Sequence, residues 1–328
     1  MDNLCHTLTG AALGQAGLAN RTRYGMVTLL VASNLPDIDV VVFFTNTMPV
    51  SFRRGWTHGV LAQVLLPVAL AAVVWLVGRR QTADNRRRQA RGQPNPALGT
   101  QPSPVFAQLL LLSYIGLYSH VFLDYLNSYG LRVLMPFSGH WFYGDALYIV
   151  DPLMWLVLGA GVATSARAAR LGSARPWRPA RLALAATAAY TVVMLASNTW
   201  ARAVVRHDLT RAGQAAETPF MVTPVFGNPF RREVLVDTGS RYEKGQLWFE
   251  PVPHFRPLGY GVDKGFNQPE ARSALATPRA EAFLGWSRFP FLVVDRSEAP
   301  PRVFLNDYRY SDAGGRAGWA GLRIQAGD

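Results

Sequence analysis

The chain has 328 residues, of which 49% are hydrophobic and 16% are charged, against roughly 25% charged in an average soluble domain. Its mean hydropathy of only +0.07 argues against a membrane protein along its whole length, so the apolar residues must be concentrated in one part. The formal net charge of +12 arises largely from arginine clusters between apolar segments, which favours cytoplasmic loops over a nucleic-acid surface. The single cysteine, Cys5, excludes an internal disulfide.

Six apolar segments occupy the first 200 residues, and a membrane-spanning helix needs about 20 such residues. In chain order they are Leu4–Ala19, Met26–Phe44, Val60–Val77, Val105–Leu126, Ile149–Ala166 and Leu182–Trp200. The first is short and rich in Gly and Ala, and the second is interrupted by the insert Asn34–Asp39. We therefore predict a mainly α fold in which residues 1–200 form a polytopic helical membrane bundle of about six membrane segments.

The sequence pattern changes after Trp200. Pro, Gly and polar residues alternate there with short runs that are typical of β-strands, such as EVLVDT, QLWFEPV, FPFLVVD and RVFLND. We expect residues 201–328 to form a C-terminal β-rich domain outside the membrane.

Arginine sets the predicted orientation, because cytoplasmic loops of membrane proteins are enriched in Lys and Arg. Placing the two arginine clusters inside, at residues 79–91 and 167–181, gives inner loops with thirteen arginines and short outer loops with three. Both termini and the C-terminal domain then lie on the extracytoplasmic side of a bacterial cytoplasmic (inner) membrane. Asp2 and His6 stand where a signal peptide would carry basic residues, so we expect the first segment to be retained.

Six polar residues lie at or near the outer ends of these segments under this orientation. They are His6, Asp37, Asp39, His58, His120 and Asp124. His120 and Asp124 are four residues apart and share one face of a helix, and the proline before Asp37 should break helix geometry. Imidazole and carboxylate ligands together suit Zn, Mn or Fe. Because ionisable residues within membranes are costly and usually functional, we predict a metal site.

Other interpretations apply to each residue taken singly. A histidine near a helix end is usually an interfacial polar residue, and Asp37 or Asp39 could instead cap the next helix. Arg53 and Arg54 could bind a substrate phosphate or carboxylate, or sit among lipid headgroups. Asp145 is a candidate ligand or general base. Asp151, which precedes Pro152, is at least as well suited to be a helix N-cap. His207 and His254 lack a specific chemical context, and we expect them on the surface.

Several motifs resemble one family. The strings MDNLCHTLTGAALG, SNLPDID, RRGWTHG and SHVFLDYLNSYGLRVLMPF, within roughly residues 1–160, are similar to the YdjM family of membrane-bound proteins inferred to be metal-dependent hydrolases. The resemblance implies that His6, Asp37, Asp39, His58, His120 and Asp124 are the metal-site positions. Longer family members continue into a section with an Asn-Pro motif, here GNPFRREV from Gly227. More distantly, the pattern is similar to zinc-dependent phospholipase C and the P1-type nucleases.

The predicted function is that of a metal-dependent hydrolase that acts at the outer face of the cytoplasmic membrane. We expect it to contact membrane lipid and to cleave a phosphoester or lipid-linked bond. A divalent transition metal, Zn before Mn or Fe, would be the cofactor. The carboxylate of Asp39 or Asp145 would accept a proton, and Arg53 or Arg54 would offset charge on a phosphoryl group. The alternatives are a transporter or metal-binding scaffold without enzymatic activity, or a membrane anchor for a C-terminal binding module.

Overall fold

The computed structural model of the protein describes residues 1–45, 47–91, 103–297, 299–312, 314 and 321–324. The chain divides into two compact units. Unit 1 comprises Met1–Asp39 and Arg54–Val193, and unit 2 comprises Val40–Arg53 and Met194–Asp328. The predicted boundary between residues 200 and 201 stays a prediction, but the short segment Val40–Arg53 was not expected to group with the C-terminal part.

Helices build unit 1. They are α1 (Asn3–Gln15), a 3-10 turn (Leu18–Arg21), α2 (Gly25–Ala32), the start of a 3-10 segment (Leu35–Phe44), α4 (Val60–Ala90), α5 (Phe106–Tyr125), α6 (Pro152–Arg170) and the first part of α7 (Arg178–Arg211). The short helix α3 (Pro49–Phe52) belongs to unit 2. Helix α5 is central in unit 1, since it packs against α1, α2 and α4.

Three helices in the described residues are long and apolar enough to cross a membrane, namely α4, α5 and α7. A fourth span is possible if α2 and the 3-10 segment Leu35–Phe44, which meet at a bend of 49°, are taken together. The bend lies at the predicted helix break before Asp37, where Pro36 removes a backbone donor. The sequence-based prediction of six membrane segments is therefore not supported.

The two missing spans have simple physical explanations. Helix α1 has 13 residues and extends only about 20 Å, well short of a hydrocarbon core of about 30 Å. In α6 the apolar run Leu153–Ala163 is followed by Thr164 and Ser165 and then by arginines. Its apolar length is therefore too small, even though the complete helix has 19 residues.

The described residues of unit 2 form two antiparallel sheets. The first has the order β1-β2-β3-β4, and the second β5-β6-β7. The strands are β1 (Phe220–Val225), β2 (Asn228–Asp237), β3 (Arg241–Trp248), β4 (His254–Asp263), β5 (Pro290–Asp295), β6 (Arg302–Asp307) and β7 (Leu322–Ile324). Two short helices, α8 (Ala271–Leu275) and α9 (Pro278–Trp286), lie between the sheets in sequence. The predicted β-rich C-terminal region is confirmed.

Alternation along the strands explains how the larger sheet is buried, because successive side chains point to opposite faces. Phe220 and Val222 face Ala201 and Val205 on the C-terminal half of α7. Met221 points the other way and packs in a second cluster with residues of the smaller sheet. The sheet therefore has an apolar core on both faces, one against a helix and one against a sheet.

Candidate metal centre

Four buried side chains from three parts of unit 1 converge. Their potential ligand atoms all lie within 4.8 Å of one another, and the residues are Asp37, His58, His120 and Asp124. The 3-10 segment carries Asp37, the residues just before α4 carry His58, and the last turns of α5 carry His120 and Asp124. The predicted i, i+4 pair of His120 and Asp124 thus lies beside two further candidate ligands, Asp37 and His58.

The distances fit a small cation. The Nε2 atoms of His58 and His120 are 3.1 Å apart, and they lie 3.3 Å and 3.5 Å from Oδ2 of Asp124. Ligands about 2.0–2.1 Å from a tetrahedral zinc stand roughly 3.3 Å from one another. Asp37 Oδ1 is 4.0 Å from His120 Nε2, so a modest inward movement would complete the shell.

The Asp124 carboxylate supplies an independent test of the fit. Its Oδ2 atom is buried and accepts no well-directed hydrogen bond, although Arg54 Nε lies 2.9 Å away. A buried carboxylate is stabilised by positive partners, and a cation among the four side chains would be a second one beside Arg54. The residues present therefore fit a metal ion.

Hydrogen bonds at the far ring nitrogens orient the two histidines. His120 Nδ1 lies 2.8 Å from the Ser33 carbonyl oxygen and donates to it, which leaves the Nε2 lone pair facing the cluster. His58 Nδ1 lies 3.0 Å from the Thr57 hydroxyl, which in turn donates to Asp39 Oδ2 at 3.0 Å. Outer partners of this kind fix the tautomer and ring orientation of metal-binding histidines.

Asp39 is not one of the four residues of the cluster, although both aspartates of LPDID were expected at one centre, and its Oδ2 lies 3.8 Å from His58 Nδ1. Its Oδ2 accepts the Arg54 backbone N–H at 2.7 Å and the Thr57 hydroxyl. The cause is the 3-10 geometry, in which residues two apart are rotated by about 240° around the axis. Asp39 therefore supports His58 through Thr57.

His6 also lies beside the cluster. Its ring stacks on His120 with the centroids 3.8 Å apart, and its Nε2 is 3.2 Å from Asp124 Oδ1. Burial lowers the pKa of His6 to about 3, so the ring is neutral at physiological pH. Its Nε2 contacts the carboxylate of Asp124, which makes His6 a partner of a candidate ligand.

The two neighbouring arginines lie in different units. Arg54 is buried, with Nη1 2.9 Å from Asn127 Oδ1 and its guanidinium over the Tyr129 ring at 4.8 Å. Its φ of 55° is a left-handed conformation unusual for a side chain other than glycine. Arg53 belongs to unit 2 and lies over the Phe43 ring at 5.8 Å. The role in substrate binding predicted for either arginine stays a prediction.

Buried ionisable groups surround the cluster. Burial lowers the pKa values of His58 and of the Met1 amino group, which donates to Asp124. The carboxylates of Asp37, Asp39 and Asp124 are all buried, and Asp124 pairs with the guanidinium of Arg54. Buried charges are normally paired or bind metal, so a bound cation would suit these carboxylates.

The remaining candidates lie outside the four-residue cluster. Asp145 is buried in the loop after α5, at a φ of 51°. Asp151 is the N-cap of α6, accepting the backbone N–H groups of Leu153 and Met154, as the sequence suggested. The other three histidines, His140, His207 and His254, are exposed.

Sequence reasoning missed the supporting residues. Thr57 and Ser33 belong to the motifs RRGWTHG and SNLPDID, but only their contacts reveal that they orient imidazole rings. The signal for Thr57 was a hydroxyl directly beside a candidate ligand in GWTHG. The Ser33 contact is made by a backbone carbonyl, which every residue has, so the residue type at position 33 does not predict it.

Apolar helices of spanning length and a buried Asp/His cluster define a membrane protein with a candidate metal site. The chain belongs to the YdjM inner membrane protein family, whose model matches residues 1–201. It is 26% identical over 174 residues to the uncharacterized protein YfhP of Bacillus subtilis (strain 168), a match that covers 50% of this chain and 46% of YfhP. The similarity thus spans about half the length of that relative. No solved structure matches the chain.

Proposed function

We propose that the protein is a metal-dependent hydrolase of the bacterial cytoplasmic membrane that acts on a phosphoester or lipid-linked substrate. The observation that carries the proposal is the buried group of Asp37, His58, His120 and Asp124. A divalent metal, Zn before Mn or Fe, would act there as a Lewis acid and lower the pKa of a water. Mixed nitrogen and oxygen donors favour these metals over Ca or Cu(I).

The protein's own residues would arrange the reaction. Arg54 holds Asp124 through an ion pair, so we assign it a positioning role and not the substrate contact expected from the sequence. Asp39 already accepts hydrogen bonds from Thr57 and from the Arg54 backbone, so we assign the role of proton acceptor to Asp145. In a hydrolytic step, that carboxylate would take the proton of the attacking water.

The proposed active site faces the extracytoplasmic side. Contacts at the opposite end of the unit 1 helices involve arginines: Arg23 Nη1 lies 3.2 Å from the Thr82 hydroxyl, and Arg181 Nε donates to the Ala16 carbonyl at 2.8 Å. Arginine marks the cytoplasmic side. With α4, α5 and α7 crossing the membrane, the protein would be multi-pass, and its C-terminal β-rich region would be extracytoplasmic.

Metal content tests the proposal. We expect full-length protein purified in detergent to hold a transition metal stoichiometrically, and His120→Ala to lose most of it because His120 is central to the cluster. His140→Ala, which changes an exposed histidine of the same unit, is the matched control and should retain the metal. Equal metal content in wild type and His120→Ala would count against the site.

Activity is measured separately on a chromogenic phosphodiester, a phospholipid and a lipid phosphomonoester. We expect hydrolysis of at least one, with loss in His120→Ala and not in His140→Ala. Metal binding without hydrolysis of any of the three would favour the alternative of a metal-binding scaffold or transporter.

A further inference from the structure

One end of the four-stranded sheet in unit 2 carries several exposed apolar side chains, together with the exposed Glu250. The turn between β1 and β2 and the turn between β3 and β4 lie at this end, because Arg231 near the start of β2 pairs with Trp248 at the end of β3. Four exposed side chains occur there, and their exposed fractions are 56% for Phe226, 62% for Phe230, 38% for Trp248 and 67% for Val252. We call this set the apolar tip. Exposed apolar patches of this kind mark interaction sites.

The opposite end of the same sheet has the reverse character. There β2 connects to β3 through Asp237, Thr238, Gly239 and Ser240, and Lys264 pairs with Asp237 at 2.8 Å. Asp263 at the end of β4 is also exposed. Exposed apolar side chains therefore lie at one end of the sheet and polar or charged ones at the other. This difference indicates that the two ends have different surroundings.

Contacts with α7 fix the position of the apolar tip along that helix. Arg232, two residues after the tip residue Phe230, places Nη2 2.6 Å from the Ser197 hydroxyl and lies over the Phe249 ring at 5.2 Å. Phe249 in turn contacts Trp200, with ring centroids 5.6 Å apart. The apolar tip is therefore attached to α7 between residues 197 and 200.

That part of α7 is the end of its uncharged stretch. Residues 182–200 contain no charged side chain, whereas Arg181 and Arg202 lie just beyond it. Nineteen residues extend about 28 Å as a helix, which matches a hydrocarbon core of about 30 Å. Trp200, 55% exposed, is then at the level where tryptophan is enriched in membrane proteins.

We propose that the apolar tip inserts into the headgroup region of the same bilayer that α7 crosses. Phe226, Phe230 and Val252 contact the upper acyl chains, while Trp248 lies at the interface. The Arg231 guanidinium stacks 4.5 Å from the Trp248 ring and pairs with lipid phosphate, for which its planar donors are suited. The proposal requires α7 to span the membrane and is independent of metal binding or hydrolysis.

Spin labels on full-length protein in phosphatidylcholine and phosphatidylglycerol nanodiscs test the proposal. Phe230→Cys reports on the apolar tip, and Ser240→Cys, an exposed site at the opposite end of the sheet, is the matched control. Cys5 can remain, because it is buried and burial raises the pKa of its thiol to about 12. Collision with oxygen, which is enriched in lipid, is compared with collision with a water-soluble nickel chelate.

We expect the label in Phe230→Cys to show a several-fold higher ratio of oxygen to nickel collisions than the label in Ser240→Cys. Equal ratios would overturn the proposal. Protection of the label in Phe230→Cys from both reagents would also overturn it, because a protein would then cover the tip. If Phe230→Cys does not fold, Val252→Cys in the neighbouring turn carries the same expectation.

Discussion

At the scale of single residues, the candidate metal centre depends on side chains that do not belong to the four-residue cluster. Thr57 links His58 to Asp39, Ser33 holds His120, and Arg54 holds Asp124. Each contact sets the direction of one candidate ligand. Mutations of these supporting residues therefore distinguish a built site from polar residues that lie together by chance.

Thr57→Val removes one hydroxyl and keeps the side-chain shape. His58 then loses the partner of its Nδ1, and we expect metal affinity to fall by about 10- to 100-fold, the usual effect of removing such a partner. Metal competition with a chromogenic chelator measures the change. Thr7→Val alters an exposed hydroxyl of α1 and should leave the affinity unchanged. Equal affinities for the two variants would argue against a role for Thr57.

Arg54→Met and Arg53→Met form a second matched pair. Loss of Arg54 leaves the buried Asp124 without its guanidinium, and breaking a buried ion pair costs about 3–5 kcal/mol. Arg53 is half-buried over Phe43, so Arg53→Met should change the free energy of unfolding by less than about 1 kcal/mol. Denaturant titrations in detergent compare the two variants. Similar losses in both would contradict the assignment of Arg54.

At the scale of elements, close packing of α2 on α5 holds the site. Gly116 of α5 lies one turn before His120, and a Cβ atom there would come within 2.6 Å of Ala32 Cβ and 3.1 Å of the Ser33 nitrogen. The absence of a side chain thus lets α2 approach closely enough for the Ser33 carbonyl to reach His120.

Gly116→Ala should therefore force α2 away from α5. We expect a loss of about 1–3 kcal/mol in the free energy of unfolding, as for other overpacked cores, together with reduced metal content. Gly159→Ala in α6 is the control, because nothing lies within 4 Å of its added Cβ; alanine also favours a helix interior by about 1 kcal/mol over glycine. Unchanged metal content in Gly116→Ala would show that α2 does not position His120.

At the scale of the whole molecule, the orientation in the membrane decides which compartment the candidate site faces. One test position is Gly139→Cys, in the loop after α5. Gly139 is exposed, and a Cβ atom added there would have no neighbour within 4 Å. Its counterpart is Arg88→Cys, an exposed position in the arginine-rich end of α4.

We expect a membrane-impermeant maleimide to label Gly139→Cys in intact cells and to label Arg88→Cys only after lysis. The reason is the enrichment of arginine on the cytoplasmic side. Wild-type protein is the blank, since its Cys5 is buried. Labelling of Arg88→Cys before lysis, with Gly139→Cys protected, would reverse the proposed orientation.

Much of the candidate site could be predicted from residue patterns. The i, i+4 spacing of His120 and Asp124, the helix break before Asp37 and the N-cap role of Asp151 follow from local geometry, and the structure contains all three. The number of membrane spans could not be read in this way, because apolar segments were counted without knowing where each helix begins and ends. Helices α1 and α6 both contain apolar runs shorter than a bilayer requires.

The sequence by itself determined the chemical types of the candidate ligands, the apolar segments and the family motifs, because these depend on residue identity and short spacings. Only the tertiary structure decided that Asp37, His58, His120 and Asp124 converge, while Asp39 and His6 support them. Such convergence depends on the direction of side chains from distant elements. The 3-10 geometry around Asp37 and the absence of a Cβ atom at Gly116 both set such directions. Neither effect is visible in the hydrophobic pattern or the residue spacing.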